Sequence, residues 1–104
     1  MLAFGALLSI FVRMELGGVM YRQFNVWRIN DNGGVVIYRC FEKLDNKMFC
    51  VQSADYFNEP ITDVKLYNSE KQALELFIEE APDSRSGLYP SVEEAIEKFT
   101  IDFS

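Results

Sequence analysis

The sequence predicts an α+β domain: a small antiparallel sheet of three to four strands, followed by two C-terminal amphipathic helices packed on one face. Three observations predict it. Apolar and polar side chains alternate in YRQFNVWRI (21–29), VVIYRCFEK (35–43) and KMFCVQS (47–53), which is the period of two that a strand imposes. Turn-forming clusters separate these stretches, so the connections are short and the sheet is a meander. Later residues switch to helical spacing behind two capping signals.

Each element follows in order. The first stretch is rich in β-formers and reads as a strand. NDNGG at 30–34 is a turn, because Asn and Gly accept positive φ at little cost. The second strand ends near Lys43, and Asp45-Asn46 forms the next hairpin tip. Pro60 interrupts any continuous element over 54–68, and VKLY (64–67) is read as a short fourth strand. Ser69 with Gln72 and Ser91 with Glu94 match the capping-box pattern. Behind the first cap, Ala73, Leu74, Phe77, Ile78 and Ala81 follow helical spacing; behind the second, Val92, Ala95, Ile96, Phe99 and Phe103 do so. Pro82 stops the first helix. The predicted core sets Leu74, Phe77, Ile96 and Phe99 against Val36, Tyr38, Phe49 and Val51.

Residues 20–104 are expected to form the domain, with 1–19 as an apolar N-terminal extension. MLAFGALLSIFV carries no charge, and Arg13 and Glu15 follow it closely. Such a run is too short for a spanning helix, which needs about twenty apolar residues. No Lys or Arg precedes it, as an export signal requires. A dispensable extension ranks first, a helix packed on the domain second and a weak export signal third.

The composition, 49% hydrophobic and 25% charged, is that of a globular domain and not of a disordered one. Among the 104 residues there is no histidine, which removes the commonest general base and metal ligand. Ser-His-Asp and Cys-His catalysis cannot be assembled from these residues. Two cysteines outside any CxxC pair do not make a zinc site. No glycine-rich phosphate loop is present. The chain is therefore expected to be no enzyme and to hold no metal or cofactor.

Charge is uneven. Residues 1–47 carry +2 and residues 48–104 carry −8. The acidic half disfavours nucleic acid, whose phosphates it repels. It suits a basic protein partner. Glu75, Glu79, Glu80, Asp83, Glu93 and Glu97 are the expected acidic face. Glu79 and Glu80 crowd the negative end of a helix, an arrangement that costs stability. Carboxylates on exposed helix faces lack the pocket that acid–base work needs.

If Asp45-Asn46 is a two-residue turn, paired positions sum to 91. Cys40 then opposes Val51 and Cys50 opposes Phe41, so the thiols point to opposite faces and cannot bridge. A three-residue turn would place Cys40 opposite Cys50. Trp27, Arg39 and Phe41, with Arg28, Ile37 and Met48, are expected on the uncovered sheet face; that composition is common at protein interfaces and equally fits a face covered by another segment, such as the apolar amino terminus.

The expected function is that of a small, acidic, cytoplasmic, non-catalytic protein-binding domain. By architectural analogy such proteins serve as inhibitors or immunity-type partners of basic proteins such as nuclease toxins. The alternative is a structural or regulatory module that forms homo-oligomers through the open sheet face, with a carboxylate-based or metal-dependent enzyme third. Membrane and nucleic acid are not expected partners.

Overall fold

A computed structural model describes residues 18–58 and 60–103. The expectation of an extension over 1–19 lies, for residues 1–17, outside the described residues. Three strands, β1 (Tyr21–Ile29), β2 (Val35–Lys43) and β3 (Met48–Phe57), form an antiparallel sheet in the order β1-β2-β3. Three helices follow: α1 (Asp63–Glu79), the short α2 (Pro82–Ser86) and α3 (Val92–Phe103). The α+β class and the meander are as the alternation predicts.

The first turn is built by its asparagines and glycines. The Asn30 amide donates to the Gly34 carbonyl (2.8 Å) and the Gly33 amide to the Asn30 carbonyl (2.9 Å). Gly33 sits at φ +89, where a side chain would be strained. Gly34 lies under the Tyr56 ring, which a Cβ there would strike. The second turn spans residues 44–47, closed by a bond from the Lys47 amide to the Lys43 carbonyl (2.9 Å). It is two residues longer than expected, yet the pairing is the same. Cys40 opposes Val51 and Phe41 opposes Cys50.

Register shifts once between β2 and β3. Arg39 opposes Ser53 while Cys40 opposes Val51, which leaves Gln52 as the extra residue of a bulge. Gln52 is 2% exposed. With its carboxamide oriented to satisfy both ends, it donates to the Ala73 carbonyl (3.3 Å) and accepts from the Phe77 amide (3.2 Å). The bulge thus ties β3 to the backbone of α1.

Adjacent strand residues point to opposite faces, and the helices divide those faces between them. Ala95 and Phe99 of α3 pack with Tyr38, Cys40 and Val51, flanked by Phe24, Val36, Phe49 and Ile96. Phe77 of α1 stacks on Phe41 (5.2 Å between centroids) and meets Tyr21 edge-on (5.8 Å) on the other face. The expected sharing of one face by both helices gives way to one helix per face, because Phe41 and Cys40 are neighbours in sequence. Of the predicted core, Ile96 and Phe99 meet Val36, Tyr38, Phe49 and Val51. Leu74 instead stays 61% exposed.

The fourth strand expected at 64–67 is helical. α1 begins at Asp63 behind Thr62, whose hydroxyl accepts from the Lys65 amide (3.1 Å). Ser69, expected to cap it, lies inside the helix. α1 ends at Glu79, and Pro82 opens α2 at its first position rather than stopping α1. The cap at Ser91 is as expected, its hydroxyl accepting from the Glu94 amide (3.1 Å).

Candidate interaction surface

The six expected acidic residues do not form one patch. Glu75, Glu79 and Glu80 are exposed along and just beyond α1. Glu93 and Glu97 are exposed on α3, which covers the opposite face of the sheet. Glu75 is already engaged by Lys71 at 2.6 Å. Asp83 is no surface contact. Its carboxylate accepts from the Tyr21 hydroxyl (2.6 Å) and from Lys43 (3.4 Å), with its side chain 18% exposed. Burial pushes the Asp83 carboxyl up, but the hydrogen bonds from Tyr21, the backbone and Lys43 outweigh it and hold it below its usual value. Burial and the bond to Asp83 raise the Tyr21 phenol.

Arg39 and Phe41, expected on an uncovered face, lie beneath α1, at 5% and 7% exposure. The Arg39 guanidinium reaches Asp55 from Nε (3.3 Å) and the Ser69 hydroxyl from Nη2 (2.6 Å); Ser69 in turn donates to Asp55 (2.6 Å). Glu70 lies 3.8 Å from Nη1. A hollow of about 330 Å³ between the sheet and α1 has Arg39, Gln52, Glu70 and Leu74 in its wall. Its cation is matched by two carboxylates, so the hollow offers neither a free anion site nor an activated nucleophile.

The cysteines are free and buried. Burial drives both thiols up to about 12, with Asp83 adding to the effect at Cys50. Both stay protonated at neutral pH and are inert as nucleophiles. Among the described residues, no group of three or more Cys, Asp and Glu is placed to hold a metal ion. No helix among them is long and apolar enough to cross a membrane.

What remains is the far end of the same face. A groove of about 590 Å³ runs between β1, β2, the end of β3 and the start of α1, lined by Trp27, Val35, Ile37, Phe57, Ile61 and Leu66. Trp27 is 69% exposed. Ile61 and Leu66 in the groove wall are also exposed. Phe77 of α1 packs on the Tyr21–Phe41 half of the face, while at the other half only the start of α1 reaches the groove, through Leu66. Trp27 is where the sequence placed an interface residue. Ile61 and Leu66 were missed because their segment read as a loop and strand.

No protein-family model, no curated protein and no solved structure matches the chain.

Proposed function

We propose that the chain is a non-catalytic protein-binding domain that docks its partner in the apolar groove around Trp27. One observation carries this: a large aromatic side chain stands exposed over a groove whose other walls are mostly apolar, Asn58 being the polar exception. Contiguous exposed apolar surface of this kind marks interaction sites, and tryptophan is the residue most enriched among binding hot spots. Buried inert thiols and carboxylates that are exposed or tied in structural bonds accord with a role without catalysis.

The test is affinity enrichment from the native source with the full chain and with Trp27→Asp. A specific protein retained by the wild type and lost with the variant, at unchanged unfolding midpoint, supports the reading. A specific partner retained equally by both overturns it.

The narrower reading, an inhibitor or immunity-type partner of a basic protein such as a nuclease toxin, draws support from Glu79 and Glu80, exposed at the end of α1. It predicts association that weakens with salt and falls when Glu79 and Glu80 both become Lys. A double mutant that binds the same partner unchanged would remove it.

A further inference from the structure

Trp27 and Ile29 belong to an edge strand, and the edge is as open as the groove. The amide of Asn30 donates to Gly34 of the first turn, and the carbonyl of Met20 accepts from Leu44. These two bonds fix the phase of an unbroken ladder from Tyr21↔Lys43 to Ile29↔Val35. Residues with even numbers turn their backbone groups toward β2. Tyr21, Gln23, Asn25, Trp27 and Ile29 therefore direct theirs outward. No strand occupies that side among the described residues. β1 has no proline and no bulge to spoil it, although such devices commonly protect edges.

Side chains on the two faces of this edge differ. The odd-numbered residues place Trp27 beside the groove. The even-numbered ones place Arg22 and Arg28 on the opposite face, so Arg28, contrary to expectation, does not share the Trp27 face, because adjacent strand residues alternate. Arg22 is paired with Glu42 at 2.5 Å. Arg28 is exposed, and among the described residues its hydrogen bond and ring contact are both with Tyr38. In a chain of net charge −6, β1 holds two arginines and no carboxylate.

We propose that the outer edge of β1 accepts an extended segment of another protein in which apolar residues alternate with acidic ones. This deepens the groove reading and rests on it. Backbone bonds to the outward groups of β1 supply affinity, and alternate side chains supply specificity, as in strand addition generally. Apolar residues of the added strand enter the groove beside Trp27. An acidic residue on the other face meets Arg28 in a charge-assisted bond. A second copy of β1 brings no carboxylate to Arg28, and neither do residues 1–12, which carry no charge.

The test uses the full chain and two end-blocked peptides, Val-Glu-Val-Glu-Val-Glu-Val and its Lys counterpart. Trp27, the single tryptophan, reports occupancy by its emission. Amide exchange, read by NMR, reports strand addition. The Glu peptide is expected to shift the emission to the blue and to slow exchange at Asn25, Trp27 and Ile29. It should bind about tenfold more tightly than the Lys peptide. Arg28→Glu should reverse that preference, and Arg28→Gln should abolish it without reversal. If both peptides bind equally while the outward amides exchange as before, the strand proposal fails and the groove reading stands. If neither peptide perturbs Trp27 at millimolar concentration, the strand proposal fails, and the Trp27→Asp enrichment still judges the groove separately. Emission already blue and shielded in the free chain also overturns it. Independence of concentration then assigns the groove to the amino-terminal residues, and dependence on concentration assigns it to a second copy.

Discussion

β3 and β1 are the two outer strands of one sheet, and they meet their surroundings differently. Beyond β3, Phe49 and Tyr89 exchange two backbone bonds of 2.8 Å, and the Ser86 hydroxyl donates to the Val51 carbonyl (2.6 Å). α3 then lays Ala95 and Phe99 over Val51. Beyond β1 there is no comparable cover among the described residues. Trp27 and Ile29 project from a strand whose outward groups are free of any ladder. The contacts that hold the fold together are concentrated at the β3 edge, and the proposed binding surface lies at the β1 edge. Substitutions on the two sides should therefore separate stability from binding.

The largest effect is expected on the closed side. Phe99 is buried among Tyr38, Cys40 and Val51 and stacks with Phe103 (4.7 Å). Phe99→Ala should lower unfolding free energy by about 3–5 kcal/mol, from lost burial and the cavity left behind. Urea denaturation followed by far-ultraviolet circular dichroism checks it. A cost under about 1 kcal/mol would mean that α3 contributes little to the core.

Asp83 comes next. It ties the α2 segment to β1 and β2 through Tyr21 and Lys43. Asp83→Asn should cost about 1.5–3 kcal/mol, the range for hydrogen bonds to a charged group, with the lower end expected because the side chain is partly exposed. The native carboxyl is held below its usual value, so its stabilisation is present above the unfolded value near 3.9 and is lost as pH falls through that value and the native one. The wild type should lose stability over that acid range more steeply than Asp83→Asn. Parallel curves would remove the carboxylate from the account. Ser86→Ala, which deprives the Val51 carbonyl of its donor, should cost about 1–2 kcal/mol by the same denaturation measurement.

These closed-side contacts were only partly legible in the sequence. The strands were, because alternation is a local signal. The 40–51 pairing was too, since a loop of four residues preserves the sum that a loop of two gives. Ser91 was legible because its cap precedes an uninterrupted apolar period. Thr62 was not: its partner at the third helical position is Lys65, so no capping box forms, while Ser69-x-x-Gln72 imitates one. The Ser69 hydroxyl is spent instead between Arg39 and Asp55, a contact spanning thirty residues from Arg39. Helical spacing located Phe77 and Phe99 on helices but carried no information about which sheet face each would take. Gln52 leaves no signal at all, because a bulge depends on the partner strand.

The smallest effect on stability, and the sharpest contrast, is expected at Trp27. Its ring is 69% exposed, so Trp27→Ala removes little buried area and should change unfolding free energy by no more than about 0.5 kcal/mol. Binding should respond in the opposite sense, because truncating a tryptophan anchor typically costs an interface at least about 2 kcal/mol, or roughly thirtyfold in affinity. The two measurements on one variant divide the alternatives. Unchanged stability with lost binding places Trp27 in the interface. A stability loss near that of Phe99→Ala would show that the ring is buried in the working protein, by the chain's own amino-terminal residues or by a second copy, and that the β1 side is as closed as the β3 side. Repeating the denaturation across a hundredfold range of protein concentration separates these, since only a cover supplied by a second copy makes the midpoint depend on concentration.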